Sequence, residues 1–190
     1  MVRKKVIIGL TGKLGSGKGT IAEILATKGF FATSLSDRIR EEIRHRGLEI
    51  TRERLLEVSD ELRRKEGPTV LAKRTWEMVI LSGKDRVVID SIRGEAEVDY
   101  LTKQPGFVLV GVTVDVETRF LRIKERGRES DPQTLEEFKK VEERDVRSGK
   151  GLIGRNIQAC LDKADFTIEN NGTVEELEKK IDKILVEVLE

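Results

Sequence analysis

The chain lacks nearly everything that would tie it together covalently or through a structural metal. Its 190 residues include one cysteine, Cys160, and one histidine, His45. An internal disulfide is excluded, and a structural zinc site lacks its ligands. Charge of one sign is also missing, with 36 Lys and Arg against 35 Asp and Glu. A dedicated nucleic-acid binder shows a basic excess, so no nucleic-acid partner is expected, although the balance leaves room for a local basic cleft. No apolar run approaches the ~20 residues that span a bilayer, and no secretory leader is visible. The expectation is a cytoplasmic protein with no membrane partner. Aromatics are 4% and charged residues 37% of the chain, a balance resembling thermophile composition. What remains is enough chain for one domain with a sizeable core.

Short apolar runs alternate with helical patterns. Val6–Leu10, Phe30–Leu35, Arg86–Ser91, Phe107–Val114 and Asp165–Glu169 read as five strands. Helices are expected at Thr20–Lys28, at Asp37–Arg46 capped by Ser36, and from Thr51 to about Glu66. Another opens at Gly67-Pro68 and ends near Gly83, with Pro68 in the first turn. Further helices are expected at Val116–Glu125, Pro132–Arg147 and Leu152–Lys163. The last helix opens on a Thr173/Glu176 capping box, with Val174, Leu177, Ile181, Ile184 and Val188 as its stripe. Such alternation predicts an α/β fold with a parallel sheet, because parallel strands need crossover connections. Roughly 50 residues of helix between strands two and three exceed a simple crossover and imply a helical subdomain. The loop Gly149–Gly154 is a hinge candidate.

Between the first strand and the first helix the chain reads GKLGSGKGT, Gly12 to Thr20. Gly12, Gly17 and Lys18 match GxxxxGK in the strand–loop–helix context that gives this pattern meaning. Glycines let consecutive N–H groups turn inward, and the start of the following helix adds its dipole. Gly12, Gly15, Ser16, Gly17, Lys18, Gly19 and Thr20 are therefore the candidate phosphate-binding residues. Lys18 supplies a mobile cation for the β- and γ-phosphates. Where a hydroxyl usually follows the lysine this chain has Gly19, and Thr20 comes one later. Thr20 is expected on the α-phosphate, with Mg²⁺ held mainly by phosphates and water.

GSGKGT, Gly15 to Thr20, resembles the P-loop of nucleoside monophosphate kinases such as adenylate kinase. SDRIR, Ser36 to Arg40, resembles the opening of their monophosphate-binding helices, which implies Asp37 and Arg40 at the acceptor. VVIDSIR, Val87 to Arg93, resembles their third strand. That implies Asp90 orienting Mg²⁺ through water and Arg93 on the acceptor phosphate. Arg119–Arg128 and Asp131–Phe138 resemble the helices flanking their lid, implying Arg126 and Arg128 as catalytic cations beside Lys18 and Arg93. IREEIRHRGLEIT, ELRRKEGPTVLAKRT and VVIDSIRGEAEV make the whole chain similar to archaeal adenylate-kinase-related proteins. VVIDSIRGEAEV is also similar to phage-type deoxynucleoside monophosphate kinases, and ADFTIENNGTVEEL to dephospho-coenzyme A kinases.

The resemblance implies a P-loop kinase fold, with a five-stranded parallel sheet in the order 2-3-1-4-5 and helices on both faces. Residues 1–35, 84–115 and 152–190 form the core of a single domain, 36–83 a helical acceptor-binding subdomain, and 116–151 a lid region. The expected reaction is ATP- and Mg²⁺-dependent phosphoryl transfer to a small phosphorylated acceptor, a nucleoside or deoxynucleoside monophosphate. Two alternatives stand beside it: a dephospho-coenzyme A kinase, and an ATP-dependent switch or ATPase. The segment Ser91-Ile-Arg-Gly departs from the apolar type expected of the former. Trp76, His45 and Cys160 read as structural. Nothing in the sequence sets a monomer against a homo-oligomer.

Overall fold

A computed structural model describes residues 5–127, 132–146 and 154–189. The apolar runs form β1 (Val6–Gly12), β2 (Phe31–Ser34), β3 (Arg86–Ile92), β4 (Phe107–Thr113) and β5 (Phe166–Glu169). The described helices are α1 (Lys18–Thr27), α2 (Leu35–His45), α3 (Arg52–Glu66), α4 (Val70–Ser82), α5 (Glu95–Leu101), α6 (Val116–Arg126), α7 (Leu135–Val146), α8 (Ile157–Asp162) and α9 (Val174–Leu189). The sheet runs β2-β3-β1-β4-β5, and every pairing is parallel. This is the P-loop kinase order expected from the sequence.

The central strands are apolar on both faces because both faces are covered. Ile7, Val87 and Ile89 join a core with Leu35, Leu71 and Leu109 beneath α2–α5. Val6, Ile8, Leu10 and Val88 point the other way, toward Ile21 on α1 and Ile181 on α9. Period-two alternation thus continues inside runs that read as unbroken hydrophobic sequence. Trp76 is 7% exposed within the first core, with the Lys5 ammonium over its ring, so it packs as expected. His45 is exposed.

Several boundaries differ from expectation, each for a local reason. Helix α2 starts two residues earlier, capped by Ser34 rather than Ser36. The Ser34 hydroxyl accepts from the Asp37 N–H at 3.1 Å, while the Asp37 carboxylate accepts from the Ser34 N–H at 3.0 Å. That reciprocal pair needs an acid three residues after the cap, and only Ser34 has one there. Pro68 lies before the Thr69 cap of α4 rather than in its first turn. Helix α8 starts at Ile157, where the Asn156 side chain accepts from the Ala159 N–H at 3.1 Å. Helix α5 was not expected at all. The predicted hinge falls on residues 149–154, of which only Gly154 is described.

Candidate phosphate-binding and acceptor site

The loop between β1 and α1 closes around its own lysine. Lys18 is 9% exposed, and its Nζ donates to the carbonyls of Gly12 at 2.7 Å and Lys13 at 3.1 Å, and to Ser16 Oγ at 3.3 Å. Gly12 ends β1, Ser16 is buried, and Thr20 is half-buried in the first turn of α1. Gly17 caps α1 at φ 91°, a left-handed conformation that costs glycine nothing. A Cβ there would stand 2.4 Å from Asn170 Nδ2. Gly19, in the first turn of α1, is exposed, and a Cβ there would meet nothing within 4 Å.

Two elements outside the motif hold the loop in shape. Asn170, at the end of β5 and 5% exposed, donates to the Ser16 carbonyl at 3.0 Å. Arg119 on α6 is 3% exposed and pairs with Glu142 of α7. Its Nε donates to the Val114 carbonyl at 3.0 Å, and its Nη1 to the Leu14 carbonyl at 3.4 Å. In the sequence Arg119 opens the segment that resembles a lid-flanking helix, and Asn170 lies in the segment that resembles dephospho-coenzyme A kinases. The partners that define both roles lie far away in the chain, which no local pattern reveals.

Arg122 lies one helical turn beyond Arg119. Its Nη1 is buried without a hydrogen-bond partner and would stand 3.9 Å from a Cβ at Gly17. Its Nη2 donates to the Gly172 carbonyl at 3.5 Å. A buried guanidinium N–H left unpaired costs free energy that a bound anion would return. A glycine-rich loop at the start of a helix, with a buried unpaired donor beside it, fits the phosphates of a nucleotide. Among the described residues no group of three or more His, Cys, Asp or Glu side chains is placed to hold a metal ion. The chain's contribution toward Mg²⁺ would come from Asp90 through water, with phosphate and water oxygens completing the shell.

The end of β3 lies beside this loop. Thr11 pairs with Ile92, and the Thr11 hydroxyl donates to the Ile92 carbonyl at 2.9 Å. Between Gly9 and Thr11 the register slips, because β3 bulges at Asp90-Ser91. Ser91, at φ 67°, is the one described non-glycine residue with positive φ. Asp90 is half-buried, and its carboxylate accepts from the Ser91 N–H. Arg93 follows, half-buried, with no hydrogen bond or ion pair on its guanidinium among the described residues. Ser34, the α2 cap, pairs with Asp90, so the helical subdomain opens at this same strand end. Asp37 has both carboxylate oxygens engaged, one in the cap and the other by Arg40 Nη1 at 3.2 Å. Arg40 therefore enters any acceptor site already paired. Arg126 is exposed at the last residue of α6, and Arg128 lies outside the described residues.

Sequence reasoning also missed a buried polar patch behind Arg93. It joins Ser59, Asp60 and Arg63 of α3 to Glu97 of α5 and to Arg155. Asp60 Oδ1 has no partner there. The hydropathy of α3 reads as a solvated helix, and the signal lies in a contact 34 residues away.

Sheet order, nucleotide loop and inserted helices together define a P-loop kinase fold. The family model described as an AAA domain (AAA_18) matches residues 8–148. The UPF0200 protein of Thermococcus kodakarensis is 36% identical over 189 residues, covering 97% of this chain and 98% of the relative. That of Pyrococcus horikoshii is 34% identical, with the same coverage of both chains. This chain belongs to the UPF0200 family, with an AAA-type P-loop domain. It spans 57% of the length of the UPF0200/UPF0201 protein of Archaeoglobus fulgidus, to which it is 38% identical over 99% of its own length. Among solved structures, a Thermus thermophilus protein is 25% identical with TM-score 0.59, covering 97% of this chain and 98% of its own. Shikimate kinase from Acinetobacter baumannii superposes at TM-score 0.58 and 18% identity, covering 97% and 95%. A gluconokinase from Sinorhizobium meliloti superposes at TM-score 0.55 and 14% identity, covering 98% and 95%. These kinases establish the fold.

Proposed function

We propose that the protein transfers the terminal phosphoryl group of ATP to a nucleoside or deoxynucleoside monophosphate. The observation that supports it most is the pair of guanidinium groups with unused donors on either side of the loop. Arg122 stands over Gly17, and Arg93 stands at the neighbouring strand end. One suits the donor's phosphates and the other the acceptor's.

No protein nucleophile is needed. An oxygen of the acceptor phosphate attacks the terminal phosphorus in line, the bond to the bridging oxygen breaks, and ADP leaves. The protein supplies position and charge. Lys18 and the loop N–H groups receive the donor, Arg93 the acceptor, and Arg126 and Arg128 approach from the lid region. Mg²⁺, when bound, neutralises charge on the donor's phosphates, with Asp90 ordering its waters. Asp37 contributes by holding Arg40 and capping α2. Residues 36–83 act as the acceptor-binding subdomain and 116–151 as the lid.

The segment resembling dephospho-coenzyme A kinases, Ala164–Leu177, meets the P-loop through Asn170 and the Ser16 carbonyl, not through Arg93 or the helices assigned to the acceptor. It therefore lends no support to that acceptor. Two substitutions separate the roles. Lys18→Ala is expected to lower turnover by about 10²–10³-fold with the fold intact by circular dichroism. Arg93→Ala is expected to raise the acceptor KM about tenfold or more and to leave the ATP KM within about twofold. Turnover unchanged in Lys18→Ala, or an Arg93→Ala defect confined to ATP, contradicts the assignment.

A further inference from the structure

One carboxylate sits where the acceptor helices, the β3 loop and the return from the lid region meet. Glu97 of α5 is fully buried. Its Oε2 accepts from the backbone N–H groups of Arg93 at 3.1 Å and Gly94 at 3.0 Å. Its Oε1 accepts from Arg63 Nη2 of α3 at 2.6 Å. Arg63 gives its other terminal nitrogen to the Ser59 hydroxyl, which also receives Arg155 Nη2 at 3.2 Å. From the segment carrying Arg155, the Asn156 N–H donates to the Arg93 carbonyl at 2.8 Å. Gly94 makes room for this segment, since a Cβ there would stand 2.3 Å from the Gly154 carbonyl oxygen. The backbone of Arg93 is thus held on both sides, its N–H by Glu97 and its C=O by Asn156. With its guanidinium unpaired among the described residues, that backbone is what aims it.

A solvent-exposed glutamate would cap α5 equally well. Burying Glu97 and Arg63 together costs several kcal/mol per ion before their attraction offsets it, so such a pair is poor evidence for stability. It is better evidence for a fixed geometry. We propose that Glu97 is a positioning residue, which locks the Arg93 peptide to acceptor helix α3 and so sets where the Arg93 guanidinium meets the acceptor phosphate. The Arg63–Ser59–Arg155 contacts bring the return from the lid region to that same point. This inference rests on the phosphotransfer reading, and its test keeps the two apart.

The test compares wild type, Glu97→Gln, Arg63→Gln and the double variant, using Mg-ATP and the monophosphate that wild type turns over fastest. Glutamine keeps the shape of Glu97 but places an NH₂ where only acceptors fit. Amide hydrogen exchange at Arg93 and Gly94 is expected to speed up about tenfold or more, with Ile7 and Val87 still protected. The acceptor KM should rise about tenfold or more while the ATP KM stays within about twofold. The double variant should be no worse than the worse single one, because the two residues act as one unit. If Glu97→Gln does not fold, Arg63→Gln carries the same comparison. Unchanged exchange at Arg93 and Gly94, or a loss shared equally between ATP and acceptor, overturns the proposal. If wild type turns over no monophosphate the phosphotransfer reading fails, and the exchange rates alone then decide whether Glu97 holds the loop.

Discussion

Lys18 carries two roles that its surroundings make compatible. Its ammonium satisfies the carbonyls of Gly12 and Lys13, and a phosphate entering the loop would compete for the same donors. Arg122, whose buried Nη1 is unpaired, is the residue proposed to favour that arrival. Substituting Arg122→Ala is expected to weaken binding of a fluorescent ATP analogue about tenfold or more. Unchanged affinity would remove Arg122 from the cradle. Cys160 shows the opposite case, a reactive group silenced by packing. Burial, with the Glu97 charge adding to it, pushes its thiol up to about 12. Because the folded value is raised, the stabilising effect is complete below the usual value of 9.0 and is lost as pH climbs from there toward 12. At pH 8 the folded protein should resist iodoacetamide for hours, while unfolded chain reacts within minutes. Rapid labelling of the native protein would contradict the burial. Cys160 was legible as structural from its isolation in sequence. The role of Arg119 was not, because a basic residue on a charged helix reads the same whether it faces water or clamps a loop across 105 residues.

The inserted helices are secured at their ends and edges more than by their propensity. Thr51 caps α3 by accepting from the Arg54 N–H at 3.1 Å, as its position in the sequence indicates. The Ser34–Asp37 capping box was also present in the sequence, although Ser36 competed with it for the same reading. Glu42 of α2 bonds Arg46 one turn on and reaches Arg74 of α4, and Glu61 of α3 bonds Lys65 one turn on and reaches Arg46 at the end of α2. The Arg46 guanidinium, with Lys65 adding to it, holds the Glu61 carboxyl down to about 2, and Arg46 likewise holds Glu42 below the usual carboxylate range. Depressed folded values mean stability that is present above pH 4.5 and lost as pH falls from there toward 2. Exposed pairs are individually weak and are screened by salt. Emission from Trp76, the only tryptophan, should therefore shift in that window while the far-ultraviolet signal of the sheet holds. Added 1 M salt should blunt the shift. Simultaneous loss of both signals would mean that these helices are not a separately loosening unit. Helix α5 escaped sequence reading because it is short, and because its capping glutamate is stabilised by Arg63 rather than by anything nearby.

At the scale of the whole molecule, strand count and parallel pairing were legible in the residues, and the order 2-3-1-4-5 came with the P-loop kinase resemblance. Apolar runs bounded by glycines mark strands, and GKLGSGKGT fixes which strand leads into the nucleotide site. The three-dimensional junction was not legible. Asn170 reaches Ser16 across 154 residues, and Glu97 reaches Arg63 across 34, through contacts that leave no periodic trace. Likewise Arg119 is occupied by Glu142 and by the Val114 and Leu14 carbonyls, whereas Arg122 keeps an unpaired buried donor.

The most direct measurement is ADP formation from Mg-ATP against a panel of ribo- and deoxynucleoside monophosphates and dephospho-coenzyme A, with Lys18→Ala as the control. The account predicts a strong, Lys18-dependent rate with one monophosphate or a small group of them. A flat response across the panel with ATP still bound contradicts phosphotransfer to a nucleotide and leaves an ATPase switch or an acceptor outside nucleotide metabolism. A response confined to dephospho-coenzyme A contradicts the choice of acceptor.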